Sequence, residues 1–365
     1  MMSKPYFPGA DSDWASVEVP AMVEAVGEIA GWETSVSLDL KAWKLAENEI
    51  EYAEGIHAPI IGPMPDRGPA TGMVVHRGAI IGSWGTVNRP EIAFSVSKGA
   101  LSALAGIALA DGLIGSLDMP VSASIDAPEF AEAPNNAITW RHLLTLTSEW
   151  QGSLWGIPDS IDFNRAVPKR PDSLPKGTLR DRHVPGRYWE FNDVRVNVLA
   201  LALTHVFGAS LETVLRERVM DPIGASRDWQ WNGYEGARIT LGGVSVPVVA
   251  GGAHWGGGMV VSTTDLARLG LLYARRGQWS GRTVVDRLWF DALRAPGWIN
   301  PAFGLMWWNN SANTIPVLSP SAIWSSGIAN FLVVDPDRDL VIVMRWYDIP
   351  RRDEIIGKII AALPD

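Results

Sequence analysis

The sequence predicts an α+β fold: an antiparallel sheet drawn from both chain ends, flanked by helices and split by a mostly helical insertion. Three observations carry this reading. Stretches with a period of two, rich in β-branched and aromatic residues, stand at 71–85 and again between about 302 and 347. The segments between them are helical in period or irregular. Strands and helices do not alternate one by one, as a parallel doubly wound sheet requires.

The elements follow in chain order. Residues 15–31, "ASVEVPAMVEAVGEIAG", suit a helix with a proline in its first turns. Residues 71–85 read as a hairpin around Arg77-Gly78. Residues 97–112 are helical in composition and closed by Gly112, and 139–147 form a short helix with Thr139 as its cap. Residues 150–187 are rich in Pro, Asp, Arg and Gly without periodicity; so long a connection suits a pocket wall. Helices follow near 193–207 and 210–219, then a small hairpin around Gly242-Gly243 at 237–249. Ser262 to Asp265 opens a helix to about Arg276, and 283–294 is another. "AFGLMWW", "AIWSSGIANFLVVD" and "DLVIVMRWY" read as strands, and 352–363 closes the chain as an amphipathic helix. The reading is one catalytic domain over 1–365. Residues 1–94 and 296–365 form an α/β part, and 95–295 a mostly helical part.

Composition narrows the function classes. A net charge of -9 argues against nucleic acid or an anionic membrane as partner. With no cysteine, a thiol nucleophile, a disulfide and Cys-ligated zinc are excluded. The start of the chain has no basic segment followed by an apolar core, and no apolar run approaches a membrane span, so a cytoplasmic protein is expected. Eighteen tryptophans suit either an aromatic core or a pocket for an apolar substrate.

Elimination leaves one catalytic pattern. H-E-x-x-H, the phosphate loop, C-x-x-C and G-x-S-x-G are all absent, so no metal or cofactor is expected. His142 and His205 lie in apolar helices and read as structural, and "HWGGGMV" at 254–260 reads as a tight turn. S-x-x-K occurs twice. Ser173–Lys176 sits in a Pro/Gly-rich loop with no helix to hold it and reads as chance. Ser95–Lys98 stands where an extended stretch gives way to a helix, a spacing that puts both side chains on one face. A lysine there is set against the helix dipole. Desolvation and the dipole together favour its neutral form, and so a base for Ser95. The competing reading is a serine cap with its lysine in solvent.

"FSVSKGALSALAGIALADGLIGSLDMPV" resembles the first motif of the serine β-lactamase and penicillin-binding superfamily. "ITWRHLLTLTSEWQG", "PGRYWEFNDVRVNVLALAL", "GGGMVVSTTDLARLG" and "SSGIANFLVVDPDRDLVIV" resemble later family segments in the same order, over about 90–345. The class C-like branch fits best, including family VIII esterases and 6-aminohexanoate-dimer hydrolases; the Gly327-Ile328 pair looks most like the latter.

The resemblance implies a hydrolase forming an acyl-enzyme on Ser95 from a small ester or amide substrate. Its oxyanion hole would be the N–H groups of Ser95 and Ile328. The third motif is Ser325-Ser326-Gly327 in place of Lys-Thr-Gly, so the cation that would anchor a penicillin carboxylate is missing. In the second motif the family tyrosine aligns with Phe191 and the family asparagine with Asp193. Phenylalanine cannot pass a proton. Lys98 acting alone, the hydroxyl of Tyr188, or a weakened or inactive chain are the open explanations. Asp193 is read either as a partner of Lys98 or as a favourable acid at a helix start. Trp150, Trp155 and Trp189 wall the pocket or simply pack. The alternatives are a non-catalytic binder on the same fold, or a β-lactamase or D-Ala peptidase.

Overall fold

The computed structural model describes residues 6–9, 14–167 and 172–364. Among the described residues, the strands and helices named next build the fold around the site. The strands are β1 (Thr71–His76), β2 (Ala79–Trp84), β3 (Glu91–Ile92), β4 (Gln230–Asn232), β5 (Gly258–Val261), β6 (Phe303–Gly304), β7 (Trp307–Asn309), β8 (Ile323–Gly327), β9 (Asn330–Asp335) and β10 (Leu340–Arg345). The helices are α1 (Pro20–Ile29), α2 (Leu40–Ala46), α3 (Lys98–Ala110), α4 (Trp140–Leu144), α5 (Asp193–Phe207), α6 (Leu211–Leu215), α7 (Thr263–Ala274), α8 (Arg287–Arg294) and α9 (Arg352–Ala361).

The main sheet has seven antiparallel strands in the order β6-β7-β8-β9-β10-β1-β2. The two ends of the chain meet at β1 and β10, where Thr71 pairs with Arg345 and Val74 with Ile342. The period of two then sorts the side chains. Val75, Leu332, Val341 and Val343 face the helical insertion, with Leu269 and Leu272 of α7 in the same core. Val74, Val333, Ile342 and Met344 face the other way, into a core shared with Met22 of α1 and Ile355, Ile356 and Ile359 of α9. This sheet, supplied by both chain ends and flanked by helices with a mostly helical insertion, is the fold the sequence predicts.

A second, three-stranded sheet (β3-β5-β4) carries the chain into α3. Arg345 of β10 locks it to the main sheet. Its fully buried guanidinium donates to Ile92 O at 2.7 Å, Val261 O at 2.6 Å and Asn330 Oδ1 at 2.7 Å. Residues 94–98 are thereby fixed against the β8–β9 hairpin. Helix α3 is buried on every side and α5 nearly so, which fits their apolar composition.

Several elements differ from expectation. Helix α2 and the wide turn Glu47–Glu51 after it carry no clear apolar period, and the sequence reading passed over them. "AFGLMWW" and "AIWSSGIANFLVVD" are each a tight hairpin, turning at Leu305-Met306 (φ 34° and 71°) and at Ile328-Ala329 (φ 36° and 53°). Apolar turn residues hid both bends, because such turns ordinarily use Gly, Asn or Asp. The helix read at 15–31 begins only at Pro20, and the one at 283–294 begins at Arg287 after a small hairpin (Gln278–Trp279 with Arg282–Thr283). "HWGGGMV" is a turn only over 254–257 and enters β5 at Gly258, with Gly256, Gly257 and Gly258 all at positive φ. No single helix among the described residues is long and apolar enough to cross a membrane.

Candidate active site

Ser95 lies in a single 3-10 turn, Phe94–Ser97, between β3 and α3, and is largely buried. Phe94 before it has φ 47°, a left-handed conformation that a bulky L-residue rarely takes. The turn is braced from below. Ser97 Oγ donates to Phe94 O at 2.7 Å and accepts from the Met259 N–H at 3.1 Å.

The β8 strand closes over Ser95 from the other side. Ser325 Oγ donates to Ser95 O at 3.2 Å. Gly327 must be glycine, since a Cβ there would fall 2.5 Å from Ser95 N. Ile328 follows at positive φ, an outlier for a β-branched residue. Such strain costs about 1–3 kcal/mol and gathers at functional sites. Two strained residues, Phe94 and Ile328, therefore sit immediately before and opposite the same serine.

Lys98 opens α3 and reaches back to Ser95. Its Nζ is 2.7 Å from Ser95 Oγ, 2.7 Å from Asp193 Oδ1 and 4.5 Å from the centre of the Phe191 ring. Asp193 is the first residue of α5, which Asn192 caps: Asn192 Oδ1 accepts from the Arg195 N–H at 3.1 Å, and its Nδ2 donates to Asp159 O at 2.8 Å. Gly252 lets the carboxylate in, because a Cβ there would lie 2.2 Å from Asp193 Oδ1. Burial pulls the Lys98 amine below the ordinary lysine range; Asp193 opposes this and Arg165 adds to it. Burial pushes the Asp193 carboxyl up, but Lys98 and Arg165 outweigh it and hold it well below the usual carboxylate range.

Behind this triad lies a charged layer that the sequence reading missed. Arg165 Nη1 is 3.0 Å from Asp193 Oδ2 and 3.3 Å from Asp162 Oδ2. Asp162 Oδ2 also accepts from the Asp193 N–H at 2.7 Å. Lys176 pairs with Asp162 at 3.0 Å and with Glu54. Glu54 accepts from Trp255 Nε1 at 2.8 Å and lies 2.6 Å from His254 Nε2. Burial, then Lys44 and Arg165, push His254 well below its ordinary value, so the neutral ring donates from Nε2 and accepts at Nδ1 from Lys44, 3.3 Å away. Apart from Lys176, which ends the second S-x-x-K, none of these residues falls in a spaced motif.

The cavity over Ser95 measures about 260 Å³ and is lined by Phe191, Arg165, His254, Ile328, Tyr347 and Arg352, among others. Lys98, Asp193 and Ser325 do not line it but lie buried against Ser95 and one another, whereas Tyr188, Trp150, Trp155 and Trp189 stand away from it. Tyr188 is stacked flat on His183 with ring centres 4.5 Å apart, with Arg180 over its face, and sits in a neighbouring cavity beside Trp189. Trp150 is buried and donates to Glu129 O at 3.0 Å. Trp155 packs edge-on to Tyr234, and Trp189 packs against Phe303 and Trp308. Phe191, Asp193, Ser326 and Gly327 do meet at Ser95 and Lys98.

Residues 67–353 match the family model described as Beta-lactamase. The chain also resembles solved structures at the level of fold. A penicillin-binding protein homologue from Caulobacter crescentus is 17% identical, with 96% of this chain and 100% of that one covered and a TM-score of 0.60. A 6-aminohexanoate-dimer hydrolase homologue from Bacillus anthracis is 15% identical over 97% and 88%, at 0.59. A β-lactamase/D-alanine carboxypeptidase from Pseudomonas syringae is 14% identical over 88% and 98%, at 0.57. A search of curated proteins finds no match.

Proposed function

The chain belongs to the beta-lactamase family of serine hydrolases, and from that premise we propose that it cleaves an ester or amide bond through an acyl-enzyme on Ser95. Lys98 takes the proton from Ser95 Oγ, and Oγ attacks the substrate carbonyl. The N–H groups of Ser95 and Ile328 hold the oxyanion. The proton passes on to the leaving group, and water then releases the acyl group as an acid. The observation that carries this reading is the 2.7 Å contact from Lys98 Nζ to Ser95 Oγ at the floor of an open cavity.

The substrate is a small ester or amide, with neither nucleic acid nor membrane as partner, and the setting is cytoplasmic. Ser325-Ser326-Gly327 offers no ammonium for a β-lactam carboxylate, which favours esters and simple amides. Phe191 against Lys98 favours slow turnover, or a weakened ligand-binding homologue as the second reading.

Brief exposure to a p-nitrophenyl ester followed by mass spectrometry tests the proposal. An adduct on Ser95 with a burst of p-nitrophenol is expected. Hydrolysis that persists in Ser95→Ala, or an adduct elsewhere, overturns it. Binding without any adduct marks the second reading, and rapid nitrocefin turnover marks a β-lactamase.

A further inference from the structure

We propose that Asp193 and Arg165 act on Lys98 as an opposed pair, and that their balance sets the pH above which Ser95 can be acylated. The carboxylate strengthens the hold of Lys98 on its proton. The guanidinium weakens that hold by drawing on the same carboxylate. This rests on the reading of Ser95 and Lys98 given above and assigns two positioning residues to it.

The contacts of Lys98 carry the argument. A base must be neutral before it can take a proton from Ser95. Yet Lys98 Nζ meets a carboxylate oxygen at 2.7 Å and an aromatic face at 4.5 Å, both of which favour the ammonium form. Lys98 and Asp193 are almost sealed from solvent, so water screens the pair little. The asparagine of the resembled family would supply a hydrogen bond there without charge. This chain places a full negative charge at that point, and a hydroxyl-free ring at 191.

Arg165 is the answering charge. It engages the other oxygen of Asp193 at 3.0 Å and lies 5.4 Å from the same Phe191 ring. The remaining charges around the site are mostly paired with one another, with Asp162 also 3.3 Å from Arg165 and adding to the hold of Lys98 on its proton. On the segment bearing Arg165, Asp162 is shared with Lys176. From the N-terminal part, Glu54 pairs with Lys176, and Lys44 with Glu47. His254, from the segment before β5, is neutral. Tyr234, after β4, is held protonated by burial and the nearby Asp193, and accepts from Asn197 Nδ2 at 3.1 Å. Asp193, in direct contact with Lys98, and Arg165, in direct contact with Asp193, are thus the two charges whose removal alters the field at Lys98 most. Activation is simple deprotonation: Lys98 loses one proton by way of Ser95 Oγ, which lines the cavity, to water there, and the free amine then accepts the proton of Ser95 when Oγ attacks.

The test is the pH dependence of acylation by p-nitrophenyl acetate, read as the rate of adduct formation on Ser95 by mass spectrometry. Wild type, Asp193→Asn, Arg165→Gln and Arg165→Lys are compared. The acid limb is expected to fall by about 1–3 pH units in Asp193→Asn, the usual effect of removing a close opposite charge. It is expected to rise in Arg165→Gln and to return near wild type in Arg165→Lys. A purely structural role would slow the reaction at every pH and leave the limb in place. An unmoved limb in Asp193→Asn, or shifts of the same sign in Asp193→Asn and Arg165→Gln, overturns the proposal. Should Asp193→Asn fail to fold, identical limbs in Arg165→Gln and Arg165→Lys overturn it. If no variant and no wild-type protein forms a Ser95 adduct, the acyl-enzyme reading itself falls, and this inference with it.

Discussion

The same four-residue pattern occurs twice in this chain, and the two copies do different things. Ser95–Lys98 bridges a turn and a helix, so the lysine folds back onto its own serine at 2.7 Å. Ser173–Lys176 lies in a connection without a helix, and Lys176 turns to Glu54 and Asp162 instead. The side chains of both lysines are nearly enclosed and both meet carboxylates. What separates them is the backbone that carries them and the number of acids each meets. Lys98 shares one carboxylate with Arg165, so its charge is only partly compensated. Lys176 has two, Glu54 and Asp162. Spacing proposes a pair; the backbone and the local charge decide whether its two side chains meet.

The comparison breaks most directly at the serines. Ser95→Ala is expected to abolish acyl-enzyme formation, while Ser173→Ala keeps the full rate; stopped-flow release of p-nitrophenol measures both. Equal losses would place the chemistry elsewhere.

The lysines come next. Lys98→Ala should lower the acylation rate by about 10²–10⁴-fold, the usual contribution of a general base, in a protein that stays folded by circular dichroism. Lys176→Met should instead cost stability, about 3 kcal/mol by urea denaturation, because Glu54 and Asp162 lose a shared cation in the interior. The acylation rate of its folded fraction should change far less than that of Lys98→Ala.

A smaller effect sharpens the contrast around Lys98. Phe191→Tyr restores a hydroxyl beside it and is expected to raise kcat severalfold with KM nearly unchanged, the mark of a contact made in the transition state. Tyr188→Phe should leave both constants alone, since that ring is stacked on His183 outside the Ser95 cavity. Steady-state kinetics on one p-nitrophenyl ester series decides between them.

The smallest effect concerns what anchors the connection bearing Lys176. Burial pushes the Glu149 carboxyl up, but Arg180 and Arg195 bring it down from 4.5 to about 2. A carboxyl depressed by folding adds stability that is full above pH 4.5 and is lost as pH falls towards 2. Thermal melts across that range should therefore fall with acid in wild type and fall less steeply in Glu149→Gln. Parallel curves would show that this carboxylate contributes no pH-dependent stability.

Local repetition is what can be read from the order of amino acids alone. The period of two at both chain ends gives the sheet, because a face buried against helices demands alternation. Ser95 and Lys98 were legible because one helical turn fixes their relation whatever surrounds them. Phe191 and Asp193 were legible only through resemblance to a known motif. Tertiary structure decided the rest. The bend at Ile328-Ala329 lacks turn residues, and its strained backbone is imposed by the pairing of β8 with β9. Glu54, Asp162, Arg165 and Lys176 come from two irregular stretches more than a hundred residues apart, and the one spacing among them, Ser173 to Lys176, announces something other than their pairing. Their meeting is set by the need of each buried charge for a partner, and that need is met in space rather than along the chain.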